Sequence, residues 1–183
     1  MSLPHALLTS LLELPCSGVD LATRFDRSIG YFWQATHQQI YKELGRLEEA
    51  GWVVSAPAAS GRGRRRLYQV LPAGKHELKR WVNEVQDPSP LRDALMVRLR
   101  AEAALGPSGV EHDLGHRLGQ HQKKLALYRQ IETRDFSASA PSREQQLQHL
   151  VLQAGIMQES QWVAFCEKAL KLLSEISDDK NTA

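Results

Sequence analysis

Amide, imidazole and cationic side chains are concentrated in residues 36–46, and no acidic residue precedes Glu43 in this stretch. A glutamine amide can both donate and accept hydrogen bonds, and lysine and arginine can contact guanine or phosphate. The base edges of a DNA major groove require these groups, provided that one helix presents them together. The residues expected to form such a surface are Thr36, His37, Gln38, Gln39, Lys42 and Arg46.

A second candidate for contact with nucleic acid is the arginine-rich stretch Gly61-Arg-Gly-Arg-Arg-Arg66. Arginines interleaved with glycines form a flexible cationic arm that can follow a phosphate backbone or enter a narrow minor groove. A basic run is often only a solvated surface, but this one lies one strand beyond the candidate helix. We predict DNA contact by Arg62, Arg64, Arg65 and Arg66, with Arg66 the weakest candidate because it begins the returning strand.

A helix from about Thr36 to Ala50 would position the first group. Thr36 and Gln39 have the T-x-x-Q spacing of a capping box. The apolar residues Ile40, Leu44 and Leu47 recur on one side, which predicts that this side is buried and the opposite side exposed. Gly45 lies on the exposed side, where it would allow a partner to approach closely.

The elements around this helix predict a winged helix-turn-helix in residues 1–86. Apolar spacing predicts helices over about 3–14 and 18–28, and strand-forming residues predict a two-stranded hairpin over 52–70. Pro72 suits the first turn of a fourth helix. Its predicted buried residues are Leu78, Trp81, Val82 and Val85, and three further aromatic residues, Tyr31, Phe32 and Trp33, are expected to fill the core.

A proline-rich linker at 87–90 separates this domain from a second, all-helical domain at 91–178, with a disordered tail at 179–183. Helices are predicted over about 91–105, 110–134 and 142–177, so the fold class is mainly α. The last helix is too long for its own domain to cover, which indicates a partner subunit. The predicted dimer interface consists of Leu147, Leu150, Val151, Ala154, Met157, Phe165 and Leu172.

Composition excludes several other classes of protein. The formal net charge is +2, and the two isolated cysteines, Cys16 and Cys166, indicate a reducing, cytoplasmic location rather than a disulfide framework. No stretch is apolar enough to span a membrane. His112 and His116 share a helix face, but no third metal ligand accompanies them and no catalytic motif is present. We therefore predict no catalytic residue, metal or cofactor.

The stretch 33–53, Trp-x-Ala-Thr-x-x-Gln-Ile-Tyr-x-Glu-Leu-x-x-Leu-Glu-x-x-Gly-Trp-Val, resembles the recognition-helix signature of the PadR family of regulators. The stretch 67–74 is similar to that family's second wing strand and following turn. Residues 90–100, with two long helices after them, resemble the subfamily that has a large helical C-terminal domain.

This resemblance implies a homodimeric transcriptional regulator, usually a repressor, on a palindromic operator. It implies that residues from about 91 onward form the dimer and that Tyr41 lies at the edge of the DNA-facing surface. A small aromatic effector is a further partner suggested by the family. The sequence identifies neither the operator, the regulated genes, the sign of regulation nor such a ligand.

Two alternatives follow from the residues alone. The first is a winged-helix module that binds a protein and uses its basic wing on an acidic partner. A salt titration separates it from a DNA-binding protein, because release of phosphate counterions gives a steep salt dependence. The second is an enzyme built on His112 and His116, which metal analysis of the purified protein would test.

Overall fold

The computed structural model describes residues 3–26, 35–57, 66–88, 90–137 and 140–181. The chain divides into two compact units, Met1–Ser89 and Pro90–Ala183. The aromatic residues Tyr31, Phe32 and Trp33 and the arginines Arg62, Arg64 and Arg65, for which the sequence predicts roles, lie outside the described residues.

The first unit contains four helices and three strands in the order expected of a winged helix-turn-helix. They are α1 (Leu3–Glu13), β1 (Cys16–Ser17), α2 (Gly18–Asp26), α3 (His37–Glu49), β2 (Val53–Pro57), β3 (Arg66–Val70) and α4 (Pro72–Val82). The predicted sequence of three helices, a hairpin and a fourth helix is confirmed, and each predicted boundary lies within a few residues of the observed one where the structure describes it.

The small sheet has three strands rather than the two that were predicted. Strands β2 and β3 pair antiparallel, with Val53 opposite Val70 and Ser55 opposite Tyr68. Strand β1 adds to the other side of β3, so the order is β1-β3-β2 and β2 is an edge strand. A two-residue strand is too short to show an alternating pattern in the sequence, which is why β1 was not predicted.

The core of the first unit lies between α1, α2, α3 and the sheet. The residues of α3 predicted to be buried are all buried, and apolar residues of α1 and α2 pack with them. This core includes Leu7, Leu8, Leu11, Leu21, Ala22, Phe25, Ile40, Leu44 and Leu47. The prediction for α4 is only partly right. Leu78 is half-buried against this core, whereas Val82 is 68% exposed and Val85 is 99% exposed. Helix α4 ends at Val82, so the helical spacing no longer holds for Val85.

Helices are the regular elements of the second unit among its described residues. They are α5 (Ala94–Leu105), α6 (Val110–Asp135) and α7 (Arg143–Asn181). Helix α6 runs unbroken through Gly115 and Gly119. Helix α7 continues to Asn181, three residues into the predicted disordered tail. No glycine or proline follows Gly155 in this helix, so the sequence contains no stop signal before 181.

The second core lies on α5, α6 and α7 and has Leu95, Val110, Leu114 and Cys166 at its centre. Phe165, predicted to contact a partner subunit, is half-buried against this core within its own chain. The other six predicted interface residues are exposed in the single chain: Leu147, Leu150, Val151, Ala154, Met157 and Leu172.

A buried carboxylate connects α6 and α7. The residue Glu159 is 3% exposed, and its oxygens lie 2.5 Å from Nδ1 of His121 and 2.9 Å from Nζ of Lys124. Trp162 stacks on His121 with ring centroids 5.4 Å apart. A buried charge is tolerated when it is paired and hydrogen-bonded, as this one is. The cluster thus explains how a glutamate fits on the packed face of α7.

Candidate nucleic-acid interface

Helix α3 separates its apolar residues from its polar ones as the sequence predicts. The side chains of Ile40, Leu44 and Leu47 are buried in the first core. The predicted DNA-contacting residues of this helix and its cap all lie on the exposed side: Thr36, His37, Gln38, Gln39, Tyr41, Lys42 and Arg46. Packing therefore fixes α3 by one side and leaves the other side available to a ligand.

The capping box at the start of α3 is present. The hydroxyl of Thr36 accepts a hydrogen bond from the backbone N–H of Gln39 at 3.2 Å. The backbone N–H of Thr36 donates in return to Oε1 of Gln39 at 2.8 Å. This exchange occupies the amide oxygen of Gln39 and leaves its amide nitrogen as the group that could donate to a base. The first turn also has no acidic residue, so its positive end is not neutralised.

Gln38 and Lys42 are two of the predicted base-contacting residues whose side chains are free to bind a ligand. Both are exposed on the first two turns of α3, and neither has a hydrogen-bond partner among the residues that the structure describes. A glutamine side chain can satisfy the donor and acceptor of adenine, and a lysine can donate to the acceptors of guanine.

Tyr41 lies beside the start of α2, and the residue is 44% exposed. A Cβ atom placed on Gly18 would come within 2.7 Å of Cε1 of Tyr41, so the glycine makes room for the ring. The ring of Tyr41 therefore packs beside Gly18, while part of the residue remains exposed.

Arg46 lies one turn beyond Lys42 and forms an ion pair on its own helix. Its Nη1 is 3.3 Å from Oε2 of Glu43, and its side chain is 61% exposed. Exposed ion pairs of this kind contribute little stability, typically below ~1 kcal/mol. A phosphate group could therefore compete with Glu43 for Arg46 at little cost to the fold.

Glu48 of α3 contacts both strands of the wing, which is the β2–β3 hairpin. The sequence reasoning missed this residue. One carboxylate oxygen of Glu48 accepts from the backbone N–H of Ser55 at 3.1 Å and from the Ser55 hydroxyl. The same oxygen accepts from Nη2 of Arg66 at 3.3 Å. The hydrogen bond from the Ser55 hydroxyl lowers the pKa of Glu48. Partial burial opposes this shift, and the Ser55 amide and the charge of Arg66 add to it.

Arg66, one of the arginines predicted to contact DNA, has partners within its own chain. Its guanidinium donates to the carbonyl of Ser55 at 3.2 Å as well as to Glu48, although the side chain remains 57% exposed. A signal for this arrangement was present in the sequence. Ser55 is a polar residue at an inward position of β2, and a buried polar group needs a partner.

The histidine pair on α6 offers no evident metal site. Nε2 of His116 lies 3.0 Å from the amide nitrogen of Gln120, its neighbour one turn along. Within the described part of the chain, no three His, Cys, Asp or Glu side chains are grouped closely enough to hold a metal ion. None of the described helices combines the length and hydropathy needed to cross a membrane.

Comparisons with known proteins find relatives of both parts of the chain. Residues 7–80 match the transcriptional regulator PadR-like family, and residues 91–174 match the family described as virulence activator alpha C-term. The chain is 37% identical over 187 residues to the probable transcriptional regulator Rv1176c of Mycobacterium tuberculosis, covering 96% of this chain and 99% of that protein.

Two solved structures of Bacillus subtilis PadR are similar to the whole chain. The structure in complex with operator DNA has a TM-score of 0.80 at 26% identity, covering 94% of this chain and 99% of the other. The structure in complex with p-coumaric acid has a TM-score of 0.76 at 24% identity, covering 94% of this chain and 95% of the other.

Proposed function

The chain belongs to the PadR-like family of transcriptional regulators, and we propose that it is a sequence-specific DNA-binding repressor that acts in the cytoplasm as a homodimer on a palindromic operator. The observation that carries the proposal is the division of α3 into a buried apolar side and an exposed polar side with no acid before Glu43. The operator complex of Bacillus subtilis PadR supports the same use of the fold.

In this proposal Gln38, Gln39 and Lys42 contact bases, because they occupy the exposed front of α3. Thr36, His37 and Tyr41 border that contact, and Arg46 binds phosphate. The wing arginines Arg62, Arg64 and Arg65 bind the backbone or the adjacent minor groove. Contacts to bases determine which sequence is preferred, whereas contacts to phosphate raise the affinity for every sequence.

The proposed homodimer forms through the second unit. Its main support is the exposed apolar side of α7, where Leu150 is 59% and Met157 is 63% exposed in the single chain. Contiguous apolar surface of this kind usually marks an interaction site. In such a dimer two copies of α3 would occupy successive major grooves, about 34 Å apart.

A small aromatic effector is part of the proposal. The first compound to test is p-coumaric acid, because Bacillus subtilis PadR has been solved with it. We expect an effector to raise the melting temperature of the protein and to lower its affinity for DNA in the same concentration range. If the compound binds the protein but leaves its affinity for DNA unchanged, the compound is not a regulatory effector.

The DNA-binding proposal is tested with a labelled duplex from the promoter region of the protein's own gene and a mixed-sequence duplex of equal length. We expect Lys42→Ala to change the ratio of the two affinities. Replacing Arg64 and Arg65 with glutamine should weaken binding to both duplexes and lower the slope of log affinity against log salt by about 0.9 for each lost phosphate contact.

Lys123→Ala serves as the control for net charge, because Lys123 is an exposed lysine of α6 in the other unit. It should leave both the affinity ratio and the salt slope unchanged. If the Lys42 and wing variants behave like Lys123→Ala, the assigned surface is wrong. A promoter reporter in cells with and without the gene tests the sign of regulation, and a repressor gives higher expression when the gene is absent.

A further inference from the structure

Three donors from the wing converge on one oxygen of Glu48 near the end of α3. They are the backbone N–H of Ser55 at 3.1 Å, the hydroxyl of Ser55, and Nη2 of Arg66 at 3.3 Å. Ser55 belongs to β2 and Arg66 to β3, so a single carboxylate contacts both strands of the hairpin. The two residues also contact each other, since Nη2 of Arg66 donates to the carbonyl of Ser55 at 3.2 Å.

The position of Ser55 explains why these contacts matter. Strand β2 is at the edge of the sheet, so backbone groups that face away from β3 have no neighbouring strand to pair with. Ser55 is only 8% exposed, and a backbone N–H in such a place requires a partner. Glu48 supplies the acceptor for its N–H and Arg66 supplies the donor for its carbonyl. Side chains therefore complete the outer edge of β2 at this residue.

We propose that Glu48 is a positioning residue that fixes the wing in its orientation relative to α3, so that both reach one DNA duplex together. The proposal rests on the DNA-binding function proposed above and adds a residue to it. Arg66 takes part in the same set of contacts. Its guanidinium joins Glu48 to Ser55 rather than neutralising a phosphate. Arg62, Arg64 and Arg65 then remain as the wing residues that bind the backbone.

The neighbouring residue Glu49 provides a matched control. It lies on the same helical turn, is exposed, and has no hydrogen bond or ion pair with any residue that the structure describes. Glu48→Ala and Glu49→Ala remove the same charge from the same end of α3. A difference between them therefore reports the contacts of Glu48 with the wing and not the general effect of an acidic side chain near DNA.

The experiment measures affinity for the promoter duplex in two backgrounds, the full-length protein and the same protein with Arg62, Arg64 and Arg65 replaced by glutamine. With the wing arginines present, Glu48→Ala should weaken binding about tenfold relative to Glu49→Ala, as expected when charge-assisted hydrogen bonds that order a binding element are lost. With the wing arginines replaced, the two variants should bind equally, because no wing contact is left to misplace.

Two further measurements test the contacts of Glu48 with Ser55 and Arg66. Hydrogen exchange of the Ser55 amide, followed by NMR without DNA, should become faster in Glu48→Ala and not in Glu49→Ala, while the Ile40 amide is unchanged in both. Arg66→Gln should lower the salt slope by less than Arg64→Gln does, because its charge is already neutralised by Glu48.

The outcomes separate this inference from the proposed function. If the unmodified protein binds neither duplex, the DNA-binding function itself fails. If it binds and Glu48→Ala matches Glu49→Ala with the wing arginines present, Glu48 does not position the wing. An equal penalty in both backgrounds also overturns the inference, since it would place the effect of Glu48 on α3 or on overall stability.

Discussion

Unlike Gln39 and Arg46, Gln38 and Lys42 have no side-chain hydrogen bond or ion pair with any residue that the structure describes. Gln39 gives its amide oxygen to the cap, and Arg46 pairs with Glu43. Residue types in the sequence could place all of these side chains on one surface but could not distinguish them, because side-chain partners depend on the folded geometry. We therefore expect Gln38 and Lys42 to govern sequence preference more strongly than Gln39.

A second cluster of individual residues joins α1 to α4 in the first unit. The ring of His5 stacks on Trp81 with centroids 4.4 Å apart, and its Nε2 lies 3.2 Å from Oε1 of Glu77. Arg80 donates to both oxygens of Glu77 at 2.7 Å. Hydrogen bonds from Arg80 and then from His5 lower the pKa of Glu77 to about 2, well below the ordinary range of a glutamate.

This shift predicts a pH dependence of stability. Because the pKa of Glu77 is lower in the folded state, its stabilising contribution is complete above about pH 4.5 and is lost as the pH falls toward 2. The difference in unfolding free energy between the unmodified protein and Glu77→Gln should be constant near neutral pH and should shrink across that acidic range. Asp87→Asn, at an exposed loop position, should show no such change. A pH-independent difference for Glu77→Gln would contradict the assignment.

At the scale of elements, helices were predictable because their apolar residues repeat and their ends carry caps. The Thr36–Gln39 and Ser142–Gln145 capping boxes are both present. Strand β1 and the exposure of Val82 and Val85 were not predictable. Each depends on contacts between distant parts of the chain, namely the pairing of β1 with β3 and the point at which α4 leaves its core.

Two glycines distinguish close packing from open space within helices. A Cβ on Gly74 of α4 would lie 2.3 Å from the carbonyl oxygen of Trp52, which already accepts from the Leu71 N–H at 2.9 Å. We expect Gly74→Ala to destabilise the protein by about 1–3 kcal/mol through overpacking. A Cβ on Gly45 of α3 would meet nothing within 4 Å. Gly45→Ala should therefore stabilise by about 0.5–1 kcal/mol.

Denaturant unfolding measures both stability changes, and DNA binding adds a second comparison. If the exposed side of α3 approaches DNA closely at Gly45, Gly45→Ala should bind the promoter duplex more weakly although it is more stable. Equal or tighter binding would show that DNA does not approach this position. A stable Gly74→Ala variant would show that α4 can move away from Trp52.

At the scale of the whole molecule, the sequence indicated two domains of different character, a compact one with a basic wing and a helical one with an uncovered apolar side. The second unit alone gives no place for the apolar residues Leu147, Leu150 and Val151, which are 46%, 59% and 49% exposed. The sequence of one chain is enough to predict that this surface is uncovered, but it does not identify the molecule that covers it. A homodimer is the proposal that also matches a palindromic DNA site.

The dimer proposal predicts a large effect of charge on this surface. Leu150→Glu should weaken self-association about 100-fold or more, since an unpaired carboxylate buried in an interface costs ~3 kcal/mol or more. Sedimentation velocity over a range of protein concentrations measures the change. Gln130→Glu adds the same charge at an exposed position of α6 and should leave self-association unchanged. If Leu150→Glu sediments like Gln130→Glu, this part of α7 is not the interface.

The most direct test of the central claim is methylation protection of guanine N7 on the promoter duplex, because that atom lies in the major groove. If α3 enters the major groove in a dimer, the protein should protect guanines in two clusters about 34 Å apart along the duplex. Replacing Gln38 and Lys42 with alanine should remove the protection in both clusters. A bound complex that leaves every guanine N7 reactive, or one whose protection survives that replacement, would contradict the account.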